Sequence, residues 1–309
     1  MANVLGDDVD RTPCATIATK VCFMTALLAC GLATAQQPET LRAASNQVFA
    51  TSSDWTAQNR FVELFVGRRH QDYLESDHQR LTPNGVLDTE TGNLDHLGFS
   101  VRWQGATNWL LHLQAQRQSG VTDYNGYMQA GNGTLSPYRA RTGNTSSQIS
   151  LSLGYAFNAH RWPVLSPHWQ ITPVLQLSQH QWDRNLVQYS ETYTHSNHAA
   201  GALIQWCARS GTVLELLAVQ GRTQSASVSV PALGFSADQP GGGYHQWQIS
   251  LSQNMASLSD RNALIGWQLA AHYSASTFEH AASLTTNGLQ APPNQHRPSV
   301  WSLGLQKQF

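Results

Sequence analysis

Val300-Trp301-Ser302-Leu303-Gly304-Leu305-Gln306-Lys307-Gln308-Phe309 is the stretch that decides the fold. Side chains alternate across an extended strand, so Trp301, Leu303, Leu305 and Phe309 share one face and Ser302, Gly304, Gln306 and Gln308 the other. The same alternation recurs upstream. In Leu97-Gly98-Phe99-Ser100-Val101-Arg102-Trp103-Gln104 each odd position is large and apolar and each even one small or polar, and Ile149–Phe157 repeats the pattern. Runs starting at Trp109, Trp169, Trp247 and Ile265 do likewise, and weaker members lie at 58–68, 192–207 and 212–222. With the last strand the count is about ten, each long enough to cross a bilayer when tilted.

A terminal half-apolar strand ending in Phe309 resembles the final strand of bacterial outer-membrane β-barrels. In that family this strand closes the barrel and is read by the assembly machinery. The resemblance therefore assigns Trp301, Leu303, Leu305 and Phe309 to barrel closure and assembly, with that machinery and outer-membrane lipid as partners. Lys307 departs from the family, which usually has an apolar residue there; near the interface a lysine can snorkel into the headgroups.

Composition fits this reading. Charged residues are 12 % of the 309, while the hydrophobic fraction of 41 % is not high, so the polarity comes from uncharged side chains. Such side chains with 10 Trp and 9 Tyr suit a polar lumen, an apolar exterior and aromatic girdles. The alternative is a soluble β-sandwich. A net charge of −1 without a Lys/Arg cluster gives no electrostatic case for a nucleic-acid partner.

Lys20, the apolar run 21–32 and Ala33-Thr34-Ala35 read as a signal peptide with cleavage after Ala35. The run is shorter than the roughly 20 residues a spanning helix needs. Asp7, Asp8 and Asp10 make 1–19 an odd leader, and a start codon downstream of Met1 would explain it. Leu27-Leu28-Ala29-Cys30 also resembles a lipoprotein cleavage box, but the second box position is usually smaller than Leu28. Cleavage leaves Cys207 as the last of the 4 cysteines, in keeping with an oxidising compartment. The expected organisation is a signal peptide over 1–35, a periplasmic lead-in over 36–56 and the barrel over 57–309.

The linkers alternate in length: long 69–93, short 105–107, long 119–146, medium 158–167, moderate 181–191, short 208–211, long 223–243, short 257–262 and long 279–297. Outer-membrane barrels pair short periplasmic turns with longer extracellular loops, which places both barrel termini in the periplasm. The expected fold is all-β: a transmembrane antiparallel up-and-down barrel. Pro173 is a blemish, since it lacks a ladder donor; a bulge or a later strand start would accommodate it.

About ten strands enclose a lumen little wider than one that side chains fill. The inward set includes Glu63, Arg102, His112, Gln114, Gln176, Glu215, Gln268 and His272, a hydrogen-bonded plug in which Glu63, Arg102 and Glu215 pair because an unpaired charge there is costly. The omptin proteases of the outer membrane resemble the chain in strand count, but their Asp-Asp and Asp-His arrangements have no counterpart. His272-Tyr273-Ser274 with Glu279 looks like the His-x-Ser pair and Glu of outer-membrane lipid A deacylases; in that family the pair faces lipid, whereas here it falls on the polar face. His195-Ser196-Asn197-His198 reads as a solvated stretch without a metal-ligand partner set. Trp182, Tyr189 and Tyr193 read as rim aromatics at the headgroup level, with Asp183, Arg184 and Glu191 as a charge-paired loop. No cofactor or metal is expected. The favoured function is non-enzymatic, structural or surface-binding through loops 69–93, 119–146, 223–243 and 279–297, with a possible extracellular ligand; the alternatives are a narrow channel and a lipid hydrolase using His272 and Ser274.

Overall fold

The computed structural model describes residues 54–309 except 78, 80, 130–133, 159–167, 209, 258–261, 282 and 285–289. The expected signal peptide, Cys30 of the alternative cleavage box and most of the expected lead-in lie outside the described residues. Ten long strands follow one another: β1 (Phe61–Ser76), β2 (Val86–Gln104), β3 (Trp109–Gln129), β4 (Leu135–Tyr155), β5 (Trp169–Asn185), β6 (Ser190–Cys207), β7 (Thr212–Val230), β8 (Gly241–Asn254), β9 (Trp267–His280) and β10 (Ser299–Gln308). Each pairs antiparallel with the next. The terminal strand then pairs with the first, from Phe61↔Gln308 to His70↔Ser299, and closes the sheet. Closure satisfies every strand edge, which lipid cannot do.

Burial is inverted relative to a protein dissolved in water. Leu64 is 64 % exposed and Leu175 64 %, while their inward neighbours Glu63 and Gln176 are 4 % and 5 % exposed. The outward apolar band ends in aromatic girdles. Trp109, Tyr155 and Phe157 form one, with ring centroids 5.5 and 5.2 Å apart, at the end that carries both barrel termini. Trp247, Tyr273 and Trp301 form the other, at 5.0 and 4.5 Å. Beyond the second girdle the outer face turns polar, beginning with the exposed Arg68–Asp95 pair at 3.0 Å. Lys307 lies at the first girdle, where Nζ donates to the Ile265 carbonyl at 2.9 Å and stands 5.1 Å from the Trp267 ring centroid.

The strands overrun the band at the loop end. The β3–β4 ladder stays paired out to Gln129↔Leu135, the β1–β2 ladder to Ser76↔Val86 and the β5–β6 ladder to Asn185↔Ser190. Most of what the sequence suggests as long loops is therefore raised wall. The physical reason is that outside lipid the outer face needs no apolar residues, so the alternation fades while the backbone ladder continues. Residues Asn294–His296 extend the wall past Pro298, pairing with both β1 and β9. On the 77–85 connection, burial acts to raise the Asp77 carboxyl pKa, but amide and hydroxyl hydrogen bonds from Thr82 outweigh it and hold it below the ordinary aspartate value.

At Pro173 the β4 ladder breaks: β4 stops at Tyr155, and Phe157–Asn158 pairs with β5 separately. Ala156 turns its N–H to the Asn108 carbonyl at 2.8 Å, so the break coincides with the missing Pro173 donor. The first strand begins at Phe61, later than 57. Residues 54–60 instead enter the barrel mouth, where Asp54 caps the short helix α1 (Trp55–Gln58) by accepting from the amides of Thr56 and Ala57. Trp55 packs there with Cys207 and Val213.

Candidate functional site

The lumen is filled by four layers of side chains, each fixed by inward positions of several strands. The first surrounds Asn59. Its Nδ2 donates to the Oε1 atoms of Gln104, Gln170 and Gln205 at 2.7, 2.9 and 3.1 Å, and its Oδ1 accepts from Gln205 and Arg102 at 2.8 and 3.3 Å. Gln58 accepts from Gln268 and Gln308, each at 3.1 Å. A buried amide is tolerated only when its groups are paired, and here one chain segment supplies the hub for three strands.

The second layer carries the charges. Arg102 pairs with Glu215 at 2.5 Å, and Glu215 also accepts from Gln205 at 2.6 Å. Glu63 pairs not with these but with His272, whose Nε2 is 2.6 Å from Glu63 Oε1; Ser100 donates to the other carboxylate oxygen at 3.1 Å. The expected three-charge group is thus two separate pairs. Beside them a cavity of about 30 Å³ is lined by residues including Glu63, His112, Gln114, Gln248, His272 and Ser274. Gln176 lies further along the lumen, accepting from the Tyr244 hydroxyl at 3.4 Å.

The proposed His272, Ser274 and Glu279 set does not assemble. His272 Nδ1 meets the Ser250 hydroxyl at 2.8 Å, and Glu279 lies on the outer face of β9, accepting from Gln295 at 2.6 Å. Seven positions separate His272 from Glu279 on one strand, an odd number, so they point to opposite faces. Ser250, His272 and Glu63 do stand in the hydroxyl–imidazole–carboxylate order that activates a nucleophile, but Ser250 is only 4 % exposed.

The third layer is aromatic. Phe278 lies among His180, His195, His280 and His296, and Tyr73, Trp182 and Tyr193 cover it towards the loop end. Trp182 Nε1 donates to Asn144 at 2.6 Å. The stretch 195–198 is therefore only half solvated: His195 and Asn197 point inward and are buried, and His198 points out. Trp182 and Tyr193 likewise face the lumen rather than the headgroups.

In the fourth layer Arg184 binds Glu90, Glu191 and Asp88 at 2.6, 3.1 and 3.4 Å. Thr122 donates to Glu90 and Tyr73 to Glu75. The guanidinium also lies 5.1 Å from the Tyr73 ring centroid. Sequence reading flagged the Arg184–Glu191 proximity but placed it on a loop, and it missed Asn59, Glu90 and the clustering of the histidines. Residues far apart in sequence meet here through closure and stagger, which no local pattern encodes. Among the described residues no three His, Cys, Asp or Glu are placed to hold a metal ion.

No protein-family model and no curated protein sequence matches the chain. Solved structures do. The outer-membrane protease OmpT from Escherichia coli aligns with a TM-score of 0.50 at 9 % identity, over 82 % of this chain and 98 % of that one. The Neisserial surface protein A aligns at 0.29 and 10 %, over 80 % and 97 %, and the attachment invasion locus protein Ail of Yersinia pestis at 0.31 and 10 %, over 81 % and 99 %. At 9 % identity the likeness to OmpT is one of fold. Closed antiparallel connectivity, an inverted exterior with two girdles and the OmpT superposition together give this chain the fold of the bacterial outer-membrane β-barrels.

Proposed function

We propose that the protein is an integral outer-membrane barrel with a closed lumen, non-enzymatic, whose work is done by the raised wall and connections at its loop end. The observation that carries this reading is the stack of four side-chain layers, from the Asn59 amide hub to the Arg184 cluster. A permeation path would have to break several buried hydrogen bonds and ion pairs at once, each costing about 1–3 kcal/mol when left unsatisfied. The hydrolase reading loses support, because Glu279 is outside the barrel and Ser250 is buried. In this reading the chain is exported by its signal peptide, both barrel termini are periplasmic, and the loop end of the barrel offers the surface for an extracellular ligand. The test is planar-bilayer recording of the refolded protein at neutral pH. No stepwise conductance is expected; discrete steps would overturn the closed lumen and restore the narrow channel.

A further inference from the structure

We propose that the third layer is an acid-operated latch, in which protonation of its histidines releases the wall segment Asn294–His296 at the loop end of the lumen. Four wall elements contribute one imidazole each: His180 from β5, His195 from β6, His280 from β9 and His296 from the 294–296 segment. Their ring centroids stand 5.7, 4.5, 5.9 and 4.3 Å from that of Phe278, and all four are at most 4 % exposed. His180 Nε2 meets the Ser146 hydroxyl and His280 Nδ1 the Asn294 side-chain oxygen, each at 2.7 Å. The remaining buried nitrogens, Nδ1 of His180, Nδ1 of His195, Nε2 of His280 and both of His296, have no hydrogen-bond partner. A neutral imidazole fits here as an apolar ring stacked on Phe278. An imidazolium does not, because it brings a charge and a second N–H donor, and these five nitrogens have no acceptor within reach.

The groups facing this layer make matters worse for a positive charge. From β1 comes Arg69, bonded to Gln118 and Ser146 at 3.1 and 3.3 Å; from β2 comes His96, bonded to Gln118 at 3.0 Å. The strand Phe235–Gln239 contributes the neutral Gln239, and β8 contributes Tyr244. The carboxylates Glu75, Asp88, Glu90 and Glu191 belong to the layer above, where Arg184 is bound and where Tyr73 and Trp182 stand between them and His296. His296 is carried by a short wall segment, anchored at its ends by the Ser76 amide donating to the Pro293 carbonyl at 3.0 Å and the Arg297 amide donating to the Asp72 carbonyl at 2.8 Å. Asn294–His296 is held by three residue pairs on each side and flanked by Pro293 and Pro298, which lack amide donors. Acid therefore favours the form in which this segment has left the wall and its imidazole has reached water.

A proton taken up only in the open form raises that form's population about tenfold for each pH unit below the ordinary imidazole pKa of about 6.5. Hydrogen–deuterium exchange of the full refolded chain in lipid vesicles, at pH 7.5 and pH 5.0 with intrinsic rates corrected, reads this directly. Protection of the 294–297 amides is expected to fall at least about tenfold at pH 5.0, with the 299–308 amides unchanged. In the double variant His195→Phe/His296→Phe, which keeps the rings and removes two of the four imidazoles, the fall in protection at 294–297 is expected to be smaller than in the wild type. If that variant does not assemble, as judged by heat-modifiable gel migration, the single variant His296→Phe replaces it, with the fall expected to be smaller than in the wild type. Equal protection of the wild type at both pH values would overturn the latch, and so would a variant that loses protection as fully as the wild type does.

Discussion

Arg102 and Glu215 show what a charge inside the lumen requires. Their side chains are 6 % and 15 % exposed, so each depends on the other for compensation. Glu215→Ala strands the guanidinium and is expected to cost about 3 kcal/mol, whereas the double replacement Arg102→Met/Glu215→Leu costs less than either single change. Urea unfolding in lipid vesicles, read by gel mobility, measures this; a double variant as unstable as the sum of the singles would refute the pairing. That Glu63, Arg102, Glu215 and His272 point inward was legible in the sequence, because each occupies the polar phase of an alternating run. Their pairing was not, since Glu63 meets His272 and Arg102 meets Glu215 only when closure sets the stagger between distant strands.

At the scale of elements, the seam between β1 and β10 joins the two ends of the barrel. At Gly67 an added Cβ would lie 1.8 Å from the Trp301 carbonyl oxygen and 2.7 Å from Ser302 Cα, both backbone atoms that cannot swing aside. Gly67→Ala is therefore expected to cost about 1–3 kcal/mol or more and to lower the assembled yield. Gly143→Ala, whose nearest neighbour is the Asn185 side chain at 3.6 Å, is the control and should fall within about 0.5 kcal/mol of wild type. Comparable assembled yields and stabilities for the two would argue against a tight seam. The strands themselves were readable wherever one face meets lipid, as along Leu97–Gln104 and Ile149–Tyr155. They became unreadable above the girdle, where 119–129 and 135–146 are paired strand with no apolar outer face to mark them.

For the whole molecule, one chain supplies the wall, its own filling and, through residues 54–60, the stopper of one mouth. The apolar exterior and polar interior are two consequences of the same period-two pattern, and the aromatic girdles fix where the pattern must hold. The filling has no such signature, because Asn59, the four histidines and Arg184 are drawn from separate elements and joined only by the cylinder. Closure is therefore the central claim. The most direct measurement places cysteines at Val66 and Leu303, partners across the β1–β10 seam, in a Cys207→Ser background of residues 36–309. Mild oxidation of the assembled protein is expected to give a near-complete intramolecular disulfide, seen as faster migration of the boiled, unreduced chain. A chain that assembles, runs as heat-modifiable and yet forms no such bond would contradict a barrel closed by its last strand.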